Sequence, residues 1–190
     1  MKKKLLGIAI VMSSLVFAQD KPESQSPRFG IKAGFNLSSI NVDGFEAKPG
    51  IYGGVFANIP VSTYVNVQPE VLYNAAGAKL KDVNKADLNL EYISVPVMIQ
   101  YNILPELYVE AGPQLGVAIN KKIRTDGGSA EVKEYFKDFD FGVGFGAGYY
   151  FGRNFGITTR YIAGVMDVSQ NNPREFIRNN VFQAGIVYKF

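Results

Sequence analysis

Eight stretches of this chain alternate apolar and polar residues at period two, and the connections between them alternate short and long. The most regular stretch places Phe139, Phe141, Val143, Phe145, Ala147, Tyr149 and Phe151 on one face. Asp138, Asp140, Gly142, Gly144, Gly146 and Gly148 take the other. Successive side chains of a β-strand point to opposite faces, so each such stretch has one greasy and one polar surface. The remaining segments run over Phe29–Leu37, Ile51–Ile59, Val65–Asn74, Ile93–Gln100, Leu107–Asn120, Phe155–Val165 and Val181–Phe190. No stretch follows the helical period with comparable strength.

Pro60–Thr63, Ile103–Glu106 and Gly152–Asn154 are tight connections. Ser39–Lys48, Ala76–Ala86, Lys121–Lys137 and Asp167–Asn179 are longer and charged or rich in Asn and Gly. An even-stranded transmembrane barrel has this arrangement, with short periplasmic turns, longer external loops and both termini on the periplasmic side. Closure also pairs the backbone groups that lipid would leave stranded. The sequence therefore predicts an all-β fold, an eight-stranded antiparallel transmembrane β-barrel. Pro69, Pro96 and Pro113 fall inside predicted strands, where each removes a ladder donor, so a bulge or local break is expected at some of them.

Both ends of the chain point to the same compartment. Met1-Lys2-Lys3-Lys4 is basic, Leu5 to Phe17 is apolar but short for a membrane span, and Val16-Phe17-Ala18 has the form of a cleavage site. The expected organisation is a signal peptide over 1–18, a polar lead over 19–27, and a barrel over 28–190. The last segment sets Phe182, Ala184, Ile186, Tyr188 and Phe190 against Gln183, Gly185 and Lys189. Tyr188 and the terminal Phe190 look like the signal by which the barrel-assembly machinery recognises outer-membrane barrels. A Gram-negative outer membrane is the expected location, with its lipids as the surrounding partner.

Composition removes several kinds of chemistry. The formal charge of +3 falls to zero once Lys2, Lys3 and Lys4 leave with the signal peptide, so no global field favours nucleic acid. There is no Cys and no His, which removes disulfides, thiolate metal sites and the commonest general base. No cofactor is expected. Without Trp, an aromatic girdle must be built from 11 Tyr and 14 Phe.

A soluble lipocalin-like carrier would turn the apolar faces inward around a greasy ligand, and a membrane barrel turns them outward. Glycines and charges on the polar faces suit a narrow packed lumen, so the outward arrangement is expected. Glu70 and Arg160 then face inward, as do Lys32 and Glu110 nearer the periplasmic end. Paired charges are what an enclosed interior tolerates, and the expected pairs are Glu70 with Arg160 and Lys32 with Glu110. The other reading is polar filling of a water-containing lumen.

The glycine run Gly142–Gly148 has period two with no helix after it, unlike a dinucleotide fingerprint. Glycosidases use two carboxylates, and Glu70 with Glu110 has that composition, but nothing in the sequence supplies a substrate cleft. Lys121, Lys122 and Arg124, followed by Glu131 and Glu134, read as a solvated loop face, with acidic surface glycans as an alternative contact.

The ordered motifs resemble those of the PorT-like family of outer-membrane β-barrels. They are Gly30-Ile31-Lys32-Ala33-Gly34-Phe35-Asn36-Leu37-Ser38, Gln68-Pro69-Glu70-Val71-Leu72-Tyr73-Asn74 with Gly77-Ala78-Lys79, and Leu90-Glu91-Tyr92-Ile93-Ser94-Val95-Pro96. Glu110-Ala111-Gly112-Pro113, the glycine run, Arg160-Tyr161 and Tyr188-Lys189-Phe190 complete the set. The resemblance makes the three prolines expected residues. It implies a non-enzymatic barrel with a structural, adhesive or interaction role through its external loops, or else a component of a secretion and gliding apparatus. A small-solute channel is a further alternative, although side chains fill a barrel of this size.

Overall fold

The computed structural model describes residues 26–40, 45–80, 87–125, 128–131, 139–165 and 179–190. They form β1 (Arg28–Ile40), β2 (Phe45–Pro60), β3 (Val65–Leu80), β4 (Asp87–Asn102), β5 (Leu107–Thr125), β6 (Gly128–Glu131), β7 (Phe139–Phe151), β8 (Phe155–Gly164) and β9 (Asn179–Lys189). Every long strand pairs antiparallel with its neighbours in sequence, β4 joins β5, and β1 joins β9 to close the cylinder. The barrel thus has eight strands, while the short β6 pairs only with the far end of β5.

Several strands run on where the alternation fades. β3 continues to Leu80 and β4 begins at Asp87, so Ala76–Leu80, expected in a loop, is paired strand. Lys121–Thr125, also expected in a loop, extends β5 and supports β6. A ladder needs only backbone N–H and C=O groups, and it persists after the side chains stop announcing a buried face.

The prolines make the local breaks expected of them, without bulges. The β2–β3 ladder lapses between Phe56↔Glu70 and Ile59↔Val67, beside Pro69. The β3–β4 ladder lapses between Pro69↔Val97 and Leu72↔Ser94, beside Pro96, and the β4–β5 ladder between Pro96↔Gln114 and Ile99↔Ala111, beside Pro113. Register is the same on both sides of each lapse. Each proline stays paired on its other side, Pro69 with Val97, Pro96 with Gln114 and Pro113 with Val143. A missing N–H removes a rung on the side it would have faced and leaves the other intact. The register shifts lie elsewhere, between Ala47 and Tyr52 and between Glu91 and Tyr92.

The faces are arranged as a membrane barrel requires. Phe35 is 74% exposed and Ile51 57%, whereas Lys32, Asn36, Glu70, Glu110 and Arg160 are buried. The inward-apolar arrangement of a lipocalin-like carrier is therefore not what this chain adopts. At the short-turn end, outward aromatic rings meet as Tyr149–Phe151, Phe151–Phe155, Tyr188–Phe190 and Tyr64–Tyr101, which forms the Tyr/Phe girdle at that end. Gly152, at φ +79°, makes the tight β7–β8 turn in a conformation that other residues rarely adopt.

Candidate functional site: the polar lumen

The lumen is built from the polar face of each strand, and its contents fall into three zones along the barrel. Nearest the short turns, Phe56, Tyr108, Tyr150 and Val187 form a buried apolar cluster. Glycine makes room for two of its rings. A Cβ at Gly30 would overlap the Phe56 ring, and one at Gly148 would overlap Tyr108. The Tyr108 hydroxyl reaches Thr158 Oγ1 at 3.4 Å, the Tyr108 and Tyr150 rings lie 5.7 Å apart, and Lys189 Nζ sits 3.7 Å from the Tyr150 ring centre. The Tyr150 hydroxyl has no hydrogen-bond partner.

The second zone is a network of charges. Arg160 Nη1 and Nη2 donate to Glu70 Oε2 and Oε1 at 2.9 and 2.7 Å, a forked contact that suits the planar guanidinium. Arg160 Nε donates to Glu110 Oε1 at 2.7 Å. One cation therefore serves two carboxylates. Lys32 Nζ lies 2.9 Å from Glu70 Oε1, so Lys32 joins Glu70 and not Glu110 as expected from the sequence. Strand periodicity gives the face a side chain occupies; the height at which it meets its partner also depends on the stagger of tilted strands.

Amides complete the circuit. Gln68 Nε2 donates to Glu70 Oε1 at 2.8 Å, and Gln100 Nε2 donates to Glu110 Oε2 at 2.9 Å. Asn58 Nδ2 bridges Gln68 Oε1 at 3.0 Å and Gln100 Oε1 at 2.8 Å. The chain of contacts Glu70–Arg160–Glu110–Gln100–Asn58–Gln68 thus returns to Glu70, with side chains drawn from β2, β3, β4, β5 and β8. Every carboxylate oxygen in it has a donor. The Glu70, Glu110, Arg160 and Lys32 charges cancel, which is the condition for burying them at tolerable cost. The sequence placed Gln68, Gln100 and Asn58 on the polar face, but their linking role needed cross-strand distances. The Glu70 and Glu110 side chains are 0% exposed and both are engaged by Arg160, so neither meets a substrate in the way a glycosidase carboxylate must.

The third zone lies toward the long connections. Gln183 Nε2 donates to Asn74 Oδ1 at 2.8 Å, and Asn74 Nδ2 donates to Ser94 Oγ at 3.0 Å. These groups border a small cavity also lined by Asn36, Gln114 and Asp140. Tyr188 and Phe190, singled out in the sequence, stand outside the lumen on the short-turn end of β9 and beyond it. Phe190 N donates to Phe29 O at 2.9 Å, and Arg28 Nε donates to Phe190 O at 3.1 Å. The basic group Lys121, Lys122 and Arg124 lies on the β5 extension, and Lys122 and Arg124 pair with Glu131 and Ser129 of β6. Glu134 and residues 1–25 lie outside the described residues.

Comparison with known proteins agrees with this architecture. The family model described as outer membrane protein beta-barrel domain matches residues 17–170. Among solved structures, Neisserial surface protein A is similar at 15% identity and TM-score 0.63, covering 87% of this chain and 100% of that one. The attachment invasion locus protein Ail of Yersinia pestis, solved with the heparin analogue sucrose octasulfate, matches at 18% identity and TM-score 0.52, covering 87% and 99%. OprG of Pseudomonas aeruginosa matches at 12% identity and TM-score 0.52, covering 87% and 97%. Among curated proteins no sequence matches significantly.

Proposed function

Because this chain belongs to the outer membrane protein beta-barrel domain family, we propose that it is a non-enzymatic barrel of the outer membrane whose role is structural or adhesive. It works through what its long connections present at the cell surface. The observation that carries this reading is the closed circuit of charges and amides around Arg160, which fills the lumen with side chains that satisfy one another. A lumen so occupied supports an interaction role over the small-solute channel. Ail, a similar barrel, was solved with a heparin analogue, which favours acidic surface glycans as the first class of partner to test.

The finer assignments rest on the sequence. The ordered motifs from Gly30 to Phe190 support placement in the PorT-like branch, and with it the alternative of a secretion-apparatus component. The basic start and Val16-Phe17-Ala18 support export with cleavage after Ala18. The exposed Tyr188 and Phe190, on the terminal strand that closes the barrel, support recognition by the assembly machinery. Outer-membrane lipids cover the outward apolar face.

The deciding experiment is single-channel recording on the purified protein in a planar bilayer, paired with heparin-column binding. A silent membrane with retention on heparin is the expected result. Discrete conductance steps would make the channel reading correct instead. Loss of exported proteins on deletion of the gene would favour the secretion component.

A further inference from the structure

The short-turn rim of the barrel has two unlike sides. The β2–β3 turn reads Pro60-Val61-Ser62-Thr63-Tyr64 and the β4–β5 turn Ile103-Leu104-Pro105-Glu106. They lie side by side, because Asn102 N donates to Tyr64 O at 2.8 Å and the Tyr64 and Tyr101 rings meet at 6.4 Å. Val61, Ile103 and Leu104 stand exposed at the tips, beyond those rings. Their backbone is nevertheless provided for. Val61 N and Ser62 N donate to Val65 O, Ile103 N and Leu104 N donate to Leu107 O, and Pro60 and Pro105 have no N–H to place. The Ser62 hydroxyl turns back to accept from Val65 N at 3.2 Å. In an eight-strand cylinder the β3–β4 pair stands opposite the β8–β9 pair. There the rim carries Arg153 and Asn154 of the β7–β8 turn, with Lys189 and Arg28 beside them. Arg28 Nη1 donates to Arg153 O at 3.1 Å, and Asn154 Nδ2 donates to Lys189 O at 2.6 Å.

From this asymmetry we propose that the β2–β3 and β4–β5 turns are sunk in the periplasmic leaflet of the membrane, against phospholipid, while the β7–β8 turn stands in water. The apolar patch is continuous with the lipid-facing wall through Tyr64 and Tyr101, so phospholipid already reaches its edge. Aromatic rings mark the membrane interface of such barrels, and Val61, Ile103 and Leu104 carry apolar surface past that line. Lipid accepts a turn only where backbone donors are paired, and the bonds to Val65 O and Leu107 O pair four of them. Glu106 is the one charged side chain of the two turns, and its carbonyl accepts from Tyr150 N of β7, at the margin of the patch. Across the rim, Arg28, Arg153 and Lys189 are costly to immerse and hold that side at the level of water and headgroups. The barrel axis therefore leans, with the β3–β4 rim drawn into the bilayer and the β8–β9 rim lifted from it. The inference rests on the outer-membrane reading proposed above and adds the pose the barrel takes there.

The chain has no Cys, so a single thiol can carry a spin label at a chosen site. Val61→Cys, Leu104→Cys, Arg153→Cys and, on the outward wall, Phe145→Cys are each labelled in the full-length protein. The proteins are reconstituted into vesicles of phosphatidylethanolamine and phosphatidylglycerol. Collision with oxygen, which concentrates in lipid, is compared with collision with a water-soluble nickel chelate. Labels at positions 61 and 104 should meet the chelate several-fold less often than the label at 153. In the unsubstituted protein in lipid nanodiscs, an aqueous gadolinium chelate should broaden the amide resonances of Arg153 and Asn154 and spare those of Val61 and Leu104. That measurement keeps the test valid if a variant fails to assemble. Equal chelate contact at 61, 104 and 153, with position 145 shielded, would overturn the proposal and leave the membrane reading intact. Contact at 145 as well would overturn the membrane reading itself. Turns exposed in pure lipid but shielded in native membranes would make a protein their cover and overturn phospholipid as the occupant.

Discussion

The charged zone of the lumen and the cavity zone beyond it are made from the same residue types, yet they are organised in opposite ways. Around Arg160 every carboxylate oxygen has a donor and the circuit closes on itself. Around Asn36 and Gln114, acceptor oxygens stand buried without one. Polarity alone does not say whether an interior is sealed or receptive; the balance of donors against acceptors does. One zone closes on itself, and the other leaves acceptors over.

The sharpest way to break this contrast is Arg160→Met. It leaves Glu70 and Glu110 buried without their shared cation, and we expect a loss of at least ~3–5 kcal/mol, or failure to assemble, measured by urea titration of the folded band. A loss no larger than that of an ordinary surface change would show that water fills the lumen and screens the charges. Next in size is Gly148→Val, whose side chain must displace the Tyr108 ring. Overpacking of this kind costs about 1–3 kcal/mol, readable as a lower thermal midpoint.

Lys32→Met should cost less than Arg160→Met, roughly 1–3 kcal/mol, because Glu70 keeps Arg160 and Gln68 as donors. If the two variants were equal, the hierarchy within the network would be wrong. Smallest of all is Gln114→Leu, expected within about 0.5 kcal/mol of the parent, since it removes an oxygen that has no partner. A cost exceeding that of Lys32→Met would mean that the cavity zone is as tightly committed as the charged one.

The face of each strand was legible from period two because lipid and lumen impose opposite demands on neighbouring residues. Phe35 and Asn36 differ by one position and by an entire environment. The partner of Lys32 was not legible, since periodicity carries no information about height. Nor was the strand character of Ala76–Leu80 and Lys121–Thr125, where backbone pairing continues without an alternating pattern. Tyr150 shows another blind spot. It points into the lumen between outward Tyr149 and Phe151, and only its odd-even position distinguishes it from its neighbours. The local breaks at the prolines were legible from the lost donor, whereas the intact pairing on the other side of each strand was not.

The seam between β1 and β9 carries a consequence for how the cylinder comes into being. Arg28 and Phe190 are 162 residues apart, yet they share a hydrogen bond, and the first and last strands are zipped from Gly30↔Lys189 to Ile40↔Asn179. Without β9 the other strands have no pairing that joins β1 to β8, and they form an open sheet with unpaired margins. Removing β9 as a whole would leave a ribbon, whereas losing only its last few residues would leave the rungs from Gly34↔Gly185 to Ile40↔Asn179 to hold the tube shut.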